Sequence, residues 1–337
     1  MKKIFFILLI MTALYSCENF DKDHPDFDYT AGYFPYQFPV RTLVLGDYIF
    51  DNENDNAHKF VISVAMGGVY ENTKNRVFSF QLDESLCNNL LFSADGNQVK
   101  ALPQSYYTLS STNQIIIPKG KHNGGVEVQL TDAFFNDPLA ITLGYVVPLR
   151  LTGSNDVDTI LVGNPAVANA DPRFADQWNI APKNFTMFAV KYINEYHGNY
   201  FHYGANTVKN AAGAVVENNT YSATYVESNP TAKMLTTARR QVSMTTFFNS
   251  AVMAGEFTLL LNFNNNNVTV TAPAGADYTV TGSGQFKSKE YEWGNKKRDG
   301  ITLNYSVTKN GHTYEANDVF VIRDRAVVME IYSPVLN

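Results

Sequence analysis

Ile301-Thr302-Leu303-Asn304-Tyr305-Ser306-Val307-Thr308, followed at once by Lys309-Asn310-Gly311-His312-Thr313-Tyr314-Glu315, decides the fold. In the first octet apolar and polar residues alternate without a break, so on an extended chain the apolar ones all face one side. Asn310-Gly311 suits the two positive-φ positions of a type I′ turn, whose twist matches that of the flanking strands. The segment therefore predicts an antiparallel hairpin with one buried and one solvated face. Strand patterns continue through residues 319–322 and 327–332. Upstream they include 185–192 and the aromatic Gly198-Asn199-Tyr200-Phe201-His202-Tyr203-Gly204. Roughly eight one-sided strands can close into a small barrel, which removes exposed edges. Only residues 232–242 are open to a helical reading.

Toward the N-terminus the strands are shorter. Residues 40–45, 59–64, 77–82, 114–117, 126–130 and 145–151 are rich in β-branched or aromatic side chains and bounded by turns. Met66-Gly67-Gly68-Val69 reads as a hairpin turn. About seven such strands within one domain suggest an immunoglobulin-like sandwich. Gly163-Asn164-Pro165, Asp171-Pro172 and Ala181-Pro182 then break the pattern. The expected organisation is all-β: a sandwich over 30–162, a linker over 163–182 and an antiparallel barrel over 183–337.

The first residues carry an address. Met1-Lys2-Lys3, the apolar run from Ile4 to Leu14, and a small residue before Cys17 read as a signal peptide over 1–16. The run is too short for a membrane span, which needs about twenty apolar residues. Leu14-Tyr15-Ser16-Cys17 resembles the lipobox of bacterial lipoproteins, in which the cysteine is acylated and becomes the N-terminus. Residues 17–29 then form an acidic, proline-containing tether. Acidic residues after such a cysteine resemble the surface-export signal of Bacteroidetes lipoproteins, although Asn19 and Phe20 interrupt the run. The expectation is a lipid-anchored protein of the outer membrane, facing the exterior.

Composition removes several functions. The formal charge is −6, and loss of Lys2 and Lys3 with the signal peptide makes it −8. An acidic chain is a poor partner for nucleic acid, which is held through Lys and Arg. Lys296-Lys297-Arg298, the densest basic stretch, reads as a solvated turn. With Cys17 acylated, Cys87 has no partner for a disulfide and reads as a small buried residue. His197 and His202 are five apart and fall on opposite strand faces. Asp51-Asn52-Glu53-Asn54-Asp55-Asn56 offers oxygens to a hard cation, but Asn56 and Ile62 stand where an EF-hand loop needs Gly and Glu. No metal and no cofactor are expected.

Nucleophile elbows, phosphate loops and zinc-protease motifs are missing from the sequence. Glu290, Glu292, Asp299, Asp324 and Glu330 could supply the carboxylate pair of a glycosidase. Nothing in the sequence brings two of them together, so the chain reads as a binder rather than an enzyme. Sugar binding uses flat aromatic faces with amides and carboxylates around them. The candidates are Trp293 and Tyr291, in Tyr291-Glu292-Trp293-Gly294-Asn295, with Trp178 and Tyr200. Their alternatives are structural: Trp293 covering the barrel mouth, Trp178 wedging the two domains, and part of the Tyr196, Tyr200 and Tyr203 cluster lying in the core.

Ile117-Pro118-Lys119-Gly120, residues 126–130 and Tyr145-Val146-Val147-Pro148-Leu149 resemble the N-terminal domain of a family of Bacteroidetes surface lipoproteins of uncharacterised function. Trp178-Asn179-Ile180-Ala181-Pro182-Lys183, Val190-Lys191-Tyr192-Ile193-Asn194 and Tyr196-His197-Gly198-Asn199-Tyr200 resemble the start of its paired lipocalin-like C-terminal domain. Trp293-Gly294-Asn295-Lys296-Lys297-Arg298-Asp299 and Phe320-Val321-Ile322-Arg323-Asp324-Arg325 resemble its later signatures. The resemblance implies a part in polysaccharide capture beside an import porin, other lipoproteins and glycoside hydrolases. It supplies no catalytic residues. The partners it implies are a polysaccharide or oligosaccharide, and the alternative is an accessory subunit packed on such a transport complex.

Overall fold

The structure, a computed structural model, describes residues 26–337; the expected signal peptide, Cys17 and most of the tether lie outside them. The protein is all-β, with helix limited to single turns such as Glu53–Asn56 and Asp132–Phe135. A two-sheet sandwich is followed by a closed barrel, as the strand patterns predict.

In the sandwich, one sheet runs in the order Thr159–Ile160, Ala31–Tyr33, Lys59–Gly67, Asn123–Leu130, Tyr107–Leu109. The other runs Glu330–Ile331, Pro39–Val44, Phe185–Ile193, Tyr145–Gly153, Arg76–Leu82, Gln114–Ile117. Alternation fills the space between them: Phe60, Ile62, Val64 and Met66 of one strand are buried against Phe78, Ile117, Val147 and Leu149. Each such side chain contributes roughly 1.5–3 kcal/mol by leaving water.

Three expectations change here. Gly67-Gly68 makes no hairpin, because Lys59–Gly67 and the next strand, Arg76–Leu82, lie in different sheets. Gly68 has a positive φ and packs against the backbone of Tyr29, so it starts a crossing between layers. Second, Phe185–Ile193 does not open the barrel domain. It is a sandwich strand, antiparallel to Tyr145–Gly153 and parallel to Pro39–Val44. Its burial on both faces explains its nearly unbroken apolar run. The boundary expected at 182/183 thus falls ahead of a strand that belongs to the sandwich. Third, residues 327–332 leave the barrel. Glu330–Ile331 pairs with Pro39–Val44, and Val335–Leu336 pairs with Leu90–Leu91.

The barrel has eight strands: Gly198–Lys209, Thr231–Ala238, Gln241–Phe247, Glu256–Asn264, Asn267–Thr271, Thr279–Trp293, Lys296–Lys309 and His312–Asp324. Pairing of the first with the last, from Asn199↔Asp324 to Lys209↔Thr313, closes it. Val215–Tyr221 is an extra strand paired with the C-terminal half of the first, Gly204–Lys209. The opening octet behaves as read: Ile301, Leu303, Tyr305 and Val307 are buried, and Asn310-Gly311 turns with φ of 50° and 73°. The ambiguous residues 232–242 lie in the hairpin of Thr231–Ala238 and Gln241–Phe247. The interior is filled by Met234, Met244, Leu259, Leu261, Phe257 and Phe320 with their neighbours.

Candidate functional site

The chain passes between the two bodies at 194–197 and again at 325–329. At that junction, residues 47–50 of the sandwich meet 298–299 and 322–324 of the barrel and 325–328 of the second crossing. With Glu195 and Tyr200 they line a cleft of about 510 Å³, inside the roughly 300–1,000 Å³ range of small-molecule sites.

Local chemistry sets each wall. The 47–50 loop is fixed by the oxygen-rich run that follows it. Buried Asp55 pairs with Arg41 and accepts from Val44 N at 2.9 Å, while Asn52 Nδ2 donates to the carbonyls of Val44 and Gly46. These groups are committed within the chain and serve as a bracket. Gly46, at φ +83°, lets the loop lie against Glu195, whose Cβ would sit 2.6 Å from a Cβ added there. The bracket projects Ile49 and Phe50 into solvent, 71% and 66% exposed, with the half-buried Tyr48 ring edge-on to Phe50.

The opposite wall leaves the barrel at Arg325. Its buried guanidinium donates to three carbonyls: His197 at 2.7 Å, Asp47 at 2.8 Å and Asn194 at 2.5 Å. One side chain thus ties both crossings to the sandwich loop. Burial lowers the Arg325 pKa, and the Glu195, Asp299 and Asp47 carboxylates oppose that shift. Ala326 turns the chain at φ +52°. Val328 beyond it adds an exposed apolar side chain to the rim.

Arg298 forms the third wall. Tyr291 pairs opposite Arg298 and Trp293 opposite Lys296, so Arg298 is the diagonal neighbour of Trp293. Its guanidinium carbon lies 4.1 Å from the Trp293 ring centre. The indole donates to Ile322 O at 2.9 Å and meets Phe201 edge-on. Trp293 therefore buttresses the cleft wall. Tyr291 covers Gly300, which has no side chain to keep its ring away.

The other sequence candidates fall elsewhere. Tyr200 reaches the cleft floor but is 1% exposed and donates to Tyr196 O, so it belongs to the barrel core. Trp178 lies in the linker, where its indole donates to Asp171 O at 2.8 Å. Of the five acidic candidates, Asp299 and Asp324 line the cleft. Glu290 pairs with Lys287, Glu292 with Lys297 and Glu330 with Lys191. The cleft residues missed in the sequence are Tyr48, Ile49, Phe50, Arg298 and Arg325. An apolar triplet beside a loop-forming Asp/Asn run was the available signal for the first three.

Two other polar groupings serve differently. Inside the barrel Asp318 accepts from Tyr305 and Tyr221 at 2.8 and 2.6 Å, with His202 Nε2 at 3.1 Å. Burial first, then the Asp318 charge, push both tyrosines up, and the Asp318 side chain has no exposed area for a ligand to reach. A depression of about 680 Å³ between Asp132, Asn136 and residues 238–241 is lined mainly by polar groups and bridged by the Asp132–Arg239 ion pair. Burial pushes the Cys87 thiol up to about 12, against service as a nucleophile.

The fold and cleft define a class: a two-domain all-β protein whose open site lies where sandwich and barrel interlock. Residues 195–326 match a family described as a domain of unknown function, DUF5627, and residues 27–158 match a family described only as an N-terminal domain. A Bacteroides ovatus structure of unknown function is 37% identical, with a TM-score of 0.86, over 92% of this chain and all of that one. The chain belongs to the family of that protein. A second B. ovatus structure of unknown function is 12% identical over 90% of this chain and 99% of its own, at a TM-score of 0.43. A third, whose description proposes carbohydrate binding, is 13% identical over 82% and 81%, at 0.28. Scores this low bear no functional argument. No curated protein matches the chain.

Proposed function

We propose that this is a lipid-anchored surface protein that binds a glycan at the junction cleft, without transforming it, as part of a capture and import system. One observation carries the reading: an aromatic and aliphatic rim, exposed Ile49 and Phe50 with half-buried Tyr48, stands over a cleft that also holds Glu195, Arg298, Asp299 and Asp324. A sugar ring has an apolar C–H face and a girdle of hydroxyls. Rim aromatics cover the first, and carboxylates and guanidinium groups bond the second. The lipobox and its acidic tether support the surface setting, and an import porin and neighbouring lipoproteins are the protein partners it suggests.

Affinity electrophoresis of the purified chain against plant and host polysaccharides tests the reading. Retardation by at least one glycan is expected, weakened in Phe50→Ala and Tyr48→Ala and retained in Trp178→Ala. Absence of retardation across the panel would favour an accessory subunit instead, docked through exposed Val328, Met329 and Ile331. A hydrolase is favoured only by Asp299 and Asp324 sharing the cleft. Release of new reducing ends during the same incubations would establish it.

A further inference from the structure

We infer that the cleft selects acidic sugars, seating a ligand carboxylate on Arg298 with Arg325 behind it; the inference rests on the glycan reading above. Two cations at the cleft lack a carboxylate within ion-pair distance among the described residues. Arg325 is 6% exposed, and its three partners are neutral backbone carbonyls. Arg298 stacks on Trp293, and its Nε is buried with no hydrogen-bond partner among the described residues. A guanidinium whose direct partners are all neutral is stabilised further by an anion brought within ion-pair distance.

Two of the four acids of the cleft, Asp47 and Asp324, are committed to partners. Asp47 pairs with Lys289. Asp324 accepts from Asn199 Nδ2 at 2.7 Å and from Ala326 N at 2.9 Å, and lies 3.5 Å from Arg323. Asp299 accepts from Ser288 Oγ and Lys289 N through one oxygen. Glu195 and the other Asp299 oxygen serve hydroxyls and repel a second carboxylate. That asymmetry gives the ligand one orientation: its carboxylate toward Arg298, its apolar face toward Phe50 and Ile49. Stacking on Trp293 holds the guanidinium plane in place before binding, so little freedom is lost when its two-pronged bond to a carboxylate forms.

Calorimetric titration of the full chain tests this with polygalacturonate, alginate and polysialic acid, each beside its carboxyl-reduced, neutral counterpart. At least one acidic glycan should bind about tenfold or more tightly than its reduced form. Arg298→Gln should abolish that preference, weakening binding of the acidic form about tenfold more than that of the reduced form, which loses only the bonds its hydroxyls make to the guanidinium. Arg298→Lys, which keeps the charge but loses the planar fork, should retain only part of it. Circular dichroism and unfolding midpoints report whether the variants keep the fold. Equal binding of acidic and reduced forms, or an undiminished preference in a folded Arg298→Gln, overturns the inference. Binding of neutral glycans alone leaves the glycan reading standing and removes this one. Failure of every glycan, here and in the electrophoresis panel, removes both.

Discussion

Burial holds the His197 imidazole down to about 4, with the neighbouring Arg325, Lys233 and Lys191 charges adding to the effect. Its Nδ1 accepts from Thr236 N at 3.0 Å, which suits the neutral ring. In the unfolded chain the ring takes its proton near 6.5. Between these values the unfolded state binds more protons, so this contribution to stability is complete above pH 6.5 and falls as the pH drops toward 4. The loss should reach about 2–3 kcal/mol. Urea unfolding at pH 7 and pH 4 should show it in the wild type and largely lose it in His197→Asn, whose amide oxygen can replace Nδ1. Identical pH slopes for the two proteins would contradict the assignment. At this scale the sequence concealed most of the site. Lys296-Lys297-Arg298 reads as a solvated turn, and two of its three side chains are solvated. Arg298 turns in because its diagonal partner is Trp293, a relation that exists only once the hairpin register is set.

The C-terminal segment shows how an element can serve a body far from it in sequence. Tyr332 is buried in the sandwich, with its ring centre 5.5 Å from Phe38 and 4.9 Å from Phe92, and its hydroxyl donates to Met187 O at 2.9 Å. Tyr332→Ala should therefore destabilise the protein by about 3–5 kcal/mol, measured by urea unfolding. A loss under about 1 kcal/mol would be the size of a surface change and would contradict this packing. Strands with one wet face, such as Lys296–Lys309, were legible because alternation records which face is buried. Phe185–Ile193 lost that record by burying both faces, and so looked like the start of a new domain. The return at Glu330–Ile331 is two residues long and is separated from the last barrel strand by only five residues, so it was read as part of the barrel.

The two bodies are joined twice by the chain, by the Asp47–Lys289 and Asp132–Arg239 ion pairs, and by Arg325, which bonds both the 194–197 crossing and the sandwich loop. The cleft is a product of that interlock. Residues 47–50, 298–299 and 322–328 share no sequence motif, and the aromatic side chains that stood out in the sequence, Trp293 and Tyr200, turned out to support the walls. On the proposed function, ligand binds at this junction and not on the linker or inside the barrel. Hydrogen–deuterium exchange, with and without a glycan that retards the chain, tests it most directly. Slowed exchange is expected to concentrate in 47–50 and 322–328, with the linker around Trp178 unchanged. Protection confined to that linker or to barrel strands remote from 322–328, with the junction unaltered, would contradict it.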